Sequence, residues 1–136
     1  MVKNEFTYPS HDGKTPIHAV IWRPEGEVRA VLQISHGVAE YALRYEPFAA
    51  FLTEQGFAVA ANDHIGHGQS LAEGAPRLYF GPKGSWNWVV EDMAQLRKLT
   101  HRQFPNLPYF LLGHSMGSFL TRTYLIRYPG TVKAAV

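Results

Sequence analysis

Tyr109-Phe110-Leu111-Leu112-Gly113-His114-Ser115-Met116-Gly117 is the stretch that decides how this chain folds. Four hydrophobic residues form a run short enough for a buried strand, and a serine between two glycines follows it. From Ser115 to Tyr128 the period changes: Leu120, Tyr124 and Tyr128 recur at four-residue steps until Pro129-Gly130 ends the helix. A sharp turn from strand into helix holds the serine out from the sheet in a strained backbone conformation. A hydroxyl is a weak nucleophile until a base takes its proton, so it must project where a base can reach it. Gly113 and Gly117 flank Ser115 because strand and helix backbones come close there, leaving no room for a β-carbon. The first amides of the helix point toward the negative charge that develops on a substrate oxygen.

Strands and helices alternate upstream of this turn. Asn4 to Tyr8 and Ile17 to Trp22 read as strands joined by the turn Ser10 to Lys14, and Ala30 to Ser35 reads as a buried strand. A helix is expected from Arg44 to Gln55, with Tyr45, Phe48 and Leu52 on one face, Pro47 in its first turn and Gly56 as C-cap. Phe57 to Asn62 is a further strand, leading into Asp63-His64-Ile65-Gly66-His67-Gly68-Gln69-Ser70. Leu71 to Gly84 is too rich in glycine and proline for a regular element. A second helix runs from Trp86 to Phe104, with Val89, Met93, Leu96 and Thr100 at helical spacing, and Thr131 to Val136 starts another strand. This alternation predicts an α/β fold built on a doubly wound, mostly parallel sheet.

Composition narrows the function classes. The 136 residues suit one domain, and 46% hydrophobic with 18% charged residues is a globular balance. A net charge of +2 without a basic cluster argues against nucleic-acid binding. No apolar run reaches the ~18 residues of a membrane helix, so stable membrane insertion is not expected. The opening Met1-Val2-Lys3-Asn4-Glu5 lacks the apolar core of a secretory signal, and there is no cysteine; both fit a cytoplasmic protein.

Where a serine sits on such a turn, its own following amide is one oxyanion donor, here Met116. The second donor comes from the loop after the third strand, His36-Gly37-Val38-Ala39-Glu40, and Val38 is the candidate. His36 and Gly37 shape that loop, with the chemistry assigned to backbone.

His36-Gly37 with Arg44-Tyr45, then Asp63 with Gly66-His67-Gly68-Gln69-Ser70, then Gly113-His114-Ser115-Met116-Gly117 occur in the order of one family. The chain resembles the monoacylglycerol lipase and lysophospholipase-like branch of the α/β-hydrolases, also grouped with serine aminopeptidases. That resemblance implies a Ser-His-Asp esterase with no metal or organic cofactor and a small-molecule or lipid ester as substrate. Two positions depart from the family pattern. Ile65 stands where arginine usually precedes Gly-His-Gly, and Val38-Ala39 replaces the commoner small-residue-then-glycine pair.

Rival motifs are weaker. Gly66-x-Gly68 fails as a dinucleotide fingerprint because Leu71 occupies the third glycine position. Asp63, His64 and His67 do not match the H-E-x-x-H metal motif and are expected to form a solvated, structural loop, with Asp63 bonding loop amides. Trp86 and Trp88 are expected to pack the second helix.

In this fold the triad runs serine, acid, histidine along the chain. The 21 residues after Ser115 contain no Asp, Glu or His, so neither acid nor base is assigned. The chain is therefore expected to be the N-terminal portion of an α/β-hydrolase core, without the lid. Two readings follow: a serine hydrolase of lipid esters whose natural chain is longer, or a non-catalytic fragment that binds or complements another chain. The isolated chain is expected to be inactive and to self-associate.

Overall fold

The computed structural model describes residues 1–136. Its strands are β1 (Val2–Pro9), β2 (Pro16–Arg23), β3 (Ala30–Ser35), β4 (Phe57–Asn62), β5 (Tyr109–Gly113) and β6 (Ala134–Ala135). Its helices are α1 (Glu46–Glu54), α2 (Ser85–Gln103) and α3 (Met116–Arg127). The strands form one sheet in the order β1-β2-β4-β3-β5-β6. β1 and β2 pair antiparallel, as do β2 and β4, whereas β4, β3, β5 and β6 run parallel. The sheet is thus parallel through its centre, with an antiparallel hairpin at one side. No helix is long and apolar enough to cross a membrane.

Alternation along the strands divides the core in two. Ile17, Ala19 and Ile21 of β2 face α2 and α3, where Val89, Met93, Leu96, Leu111, Leu120 and Tyr124 complete a cluster. Val20 and Trp22 face the other way, joining Leu32, Ile34, Val59 and Ala61 beneath Ala49 of α1. The expected face of α2 is confirmed, since Val89, Met93, Leu96 and Thr100 are all fully buried. Trp86 packs on the same core and donates from Nε1 to Thr123 Oγ1 at 3.0 Å.

The expected Arg44–Gln55 helix is corrected in one respect. Ala42–Tyr45 is a 3-10 turn, and α1 proper starts at Glu46 with Pro47 in its first turn. Tyr45 and Leu52 pack on the core as expected, but the residues buried between and beside them are Ala49 and Thr53, while Phe48 is exposed. Gly56 adopts φ 84° and closes the helix through its amide on the Thr53 carbonyl, as a C-cap glycine does. The last strand is shorter than its apolar run, with only Ala134–Ala135 pairing to β5.

The loop after β4 is structural, as expected, but it is not solvated. Asp63, His64 and His67 are each buried. Asp63 accepts from the Ala42 amide at 2.6 Å and the Gln69 amide at 2.8 Å, and meets His18 Nδ1 at 2.9 Å. One carboxylate therefore joins β2, the 3-10 turn before α1 and the loop after β4.

Candidate active site

β5 ends at Gly113, and α3 begins three residues later with Ser115 at the corner. Ser115 holds φ 55° and ψ −121°, a conformation L-residues avoid, and its side chain is exposed at the C-terminal edge of the parallel strands. Both flanking glycines are required by close approach. A β-carbon on Gly113 would lie 2.5 Å from the Gly117 carbonyl oxygen and 2.6 Å from Thr121 Oγ1. One on Gly117 would run into the Ser35 carbonyl at the end of β3. The turn is tied down by the His114 amide on the Ser35 carbonyl at 3.1 Å and the Gly117 amide on the His114 carbonyl at 2.9 Å.

The loop after β3 lies directly against this corner. A β-carbon on Gly37 would come within 3.1 Å of both Ser115 Cβ and the His114 carbonyl oxygen. Residues 37 to 40 form a turn closed by the Glu40 amide on the Gly37 carbonyl at 3.2 Å, with Ala39 in the left-handed region at φ 61°. The Val38 and Met116 amides donate to no acceptor within the chain. Gly37, which precedes Val38, thus packs against the corner, and the amides of Val38 and Met116 are both left free.

His36 is buried and shapes the loop. Its Nδ1 donates to the Gly37 carbonyl at 2.7 Å, and Nε2 accepts from the His64 amide at 3.1 Å. Burial holds its basicity down, to a pKa of about 4, despite the Gly37 bond. His64 is pushed well below its ordinary value by burial and by its histidine neighbours. His67 Nδ1 bonds the Ile65 carbonyl at 2.9 Å. None of these rings hydrogen-bonds Ser115. His11 and His18 serve Asp92 and Asp63. His114, next to the serine, turns its Nδ1 to Glu40 Oε2 at 2.7 Å.

That contact was invisible in sequence. Glu40 is a buried carboxylate that also accepts the Gly37 amide at 2.6 Å and faces Tyr45 and Arg44. Burial alone would raise its pKa, but His114, the Gly37 amide and Arg44 outweigh this and hold it below the ordinary 4.5. The only sequence signal was an acidic residue three positions after Gly37; the partner that matters most lies 74 residues away.

A sheet parallel through its centre in this strand order, carrying a strained serine between β5 and α3, defines an α/β-hydrolase. Residues 26–136 match the family model described as serine aminopeptidase, S33, and the chain belongs to that family. It is 37% identical over 109 residues to the monoglyceride lipase of Homo sapiens, covering 80% of this chain and 34% of that protein. It is also 37% identical over 116 residues to a monoacylglycerol lipase of Mycolicibacterium smegmatis, covering 85% of this chain and 39% of its relative. Among solved structures, a thermostable carboxyl esterase from Bacillus coagulans in complex with glycerol superposes with a TM-score of 0.91 at 36% identity. That match covers 99% of this chain and 43% of the esterase. The chain thus spans little more than a third of the length of these curated relatives.

Proposed function

We propose that this chain carries the nucleophile and oxyanion hole of a serine hydrolase acting on carboxylic esters, with lipid esters such as monoacylglycerols or lysophospholipids as substrate class. The observation that carries the reading is Ser115, strained and exposed at the corner between β5 and α3, with the loop that holds Val38 packed against it. The names of the relatives, monoglyceride and monoacylglycerol lipase, support the substrate class.

In this reading Ser115 Oγ attacks the ester carbonyl carbon as its proton passes to a base. The carbonyl oxygen takes the negative charge and is held by the Val38 and Met116 amides. Collapse of the tetrahedral species expels the alcohol, which gains a proton. Water then releases the fatty acid from the acyl-serine by the reverse geometry. Strain at Ser115 serves this chemistry by presenting Oγ away from the sheet, so that no rearrangement is needed at the moment of attack. The bonding of the histidines favours a second reading for these 136 residues acting alone. Without a base on Ser115 they would bind an ester without turning it over.

The test is labelling of the complete gene product with a fluorophosphonate probe, followed by peptide mapping. Phosphonylation is expected on Ser115 and is expected to vanish in Ser115→Ala. Labelling that persists in that variant overturns the assignment.

A further inference from the structure

Residues 37 to 40 make a turn whose first and last members are bonded twice. The Glu40 amide donates to the Gly37 carbonyl at 3.2 Å, and the Gly37 amide donates to Glu40 Oε2 at 2.6 Å. Between them Ala39 sits at φ 61°, a left-handed conformation that costs an alanine about 1 kcal/mol. An alanine held there needs a restraint, and the Glu40 carboxylate is the restraint within reach. The same Oε2 accepts His114 Nδ1 at 2.7 Å, and Tyr45 Oη lies 3.3 Å from each carboxylate oxygen. Arg44 Nε lies 3.3 Å from Oε1. A single oxygen therefore grips the residue before Val38 and the residue before Ser115.

Resting on the reading of Ser115 as nucleophile, we propose that Glu40 is a positioning residue that sets the spacing between the Val38 and Met116 amides. The Val38 amide is placed by the turn that Glu40 closes, and the Met116 amide by the corner that His114 anchors. Gly37 is bare on the side that faces Glu40, because a β-carbon there would come within 2.6 Å of Oε2. Charge-assisted bonds from Gly37 and His114 make the clamp stiff, which a neutral acceptor would do less well. A misplacement of about 1 Å at a reacting centre costs on the order of 100-fold in rate. The clamp therefore acts on turnover far more than on substrate binding.

The experiment uses the complete gene product and first asks whether fluorophosphonate labels Ser115. If it does not, the underlying reading fails whatever Glu40 does. With labelling established, Glu40→Ala is expected to lower kcat by about 100-fold with KM little changed. The affinity of a trifluoromethyl ketone, which mimics the tetrahedral oxyanion, should fall by a similar factor. Glu40→Gln, which keeps an acceptor for Gly37, should recover most of both. Wild-type kcat and ketone affinity in Glu40→Ala would overturn the proposal, as would equal losses in ketone and substrate binding. Should Glu40→Ala fail to fold, NMR of the wild type decides. The Gly37 amide proton must lie far downfield and move upfield as Glu40 is protonated in acid; an ordinary, unmoving resonance overturns the clamp.

Discussion

Gly117 and Ser35 touch backbone to backbone: the helix after the nucleophile corner rests its first turn on the carbonyl that ends β3. No flexible side chain lies between them to give way. Gly117→Ala is therefore expected to destabilise the protein by at least about 1–3 kcal/mol, as is typical of overpacked cores, and to abolish labelling of Ser115. Gly26→Ala, where a β-carbon meets nothing within 4 Å, should leave the urea midpoint unchanged. Equal midpoints for the two variants would contradict the close approach.

Ser115 holds its strained conformation in the absence of substrate. Glycine adopts a positive φ freely, whereas alanine does not. Ser115→Gly should thus be more stable than Ser115→Ala by about 1 kcal/mol, the lower end of what such strain costs. Urea unfolding of the pair measures it, and a more stable alanine variant would show the corner to be unstrained.

Catalysis by residues 1–136 alone should be negligible. Loss of the histidine in a serine protease costs about 10⁶ in turnover, and an oxyanion hole by itself retains about 10³ over water. Hydrolysis of short p-nitrophenyl esters is expected to match a Ser115→Ala control. Serine-dependent turnover at ordinary enzyme rates would mean that one of the seven histidines reaches Ser115 in solution.

His36 and His64 both titrate lower in the folded protein than in the unfolded chain, chiefly because burial disfavours the charged ring. Between the ordinary value of 6.5 and the folded value of His36, about 4, the unfolded state binds more protons. Stability must then fall as pH is lowered through that window, by about 1.4 kcal/mol per pH unit for His36, with His64 acting in the same direction. Glu40 adds to the loss only further down, because its folded pKa is depressed and its contribution fades once pH drops below 4.5. Urea melts from pH 7 to pH 4, with NMR titration of the His36 ring, check both slope and assignment. A His36 midpoint near 6.5 would refute it.

β6 pairs with β5 on one side only. Ile126 and Phe119 on α3 are 80% and 56% exposed. An open strand edge and exposed apolar side chains each invite association between copies. The isolated chain should sediment as concentration-dependent oligomers, and lysine at positions 119 and 126 should shift it toward monomer. A monodisperse monomer of the unsubstituted chain would rule this out.

What could be read from sequence was local. The corner at Ser115 and the buried face of α2 were legible because five residues, or one helical repeat, contain the whole signal. Asp63 was legible as an acceptor for loop amides because a glycine-rich loop has amides to satisfy. The face of α1 differs from the expected one at Phe48, since the small residues Ala49 and Thr53 fill the buried stripe and a hydrophobic pattern weights the larger side chain. The Glu40–His114 pair and the Asp92 bonds to Ser10 and His11 were not legible. Their partners are brought together only by sheet order, across 74 and more than 80 residues.

The place of β4 between β2 and β3 has a consequence for synthesis. β2 leaves the ribosome beside β3 in sequence but cannot pair with it; its neighbour in the sheet is β4. His18 waits 45 residues for Asp63, which at common elongation rates is about 2 to 9 s. Until Val59 and Ala61 of β4 arrive, the nascent hairpin of β1 and β2 carries Val20 and Trp22 in an incomplete cluster. Synonymous codons that slow translation between residues 24 and 56 would lengthen the exposure, and a nascent-chain chaperone would find its target in β2.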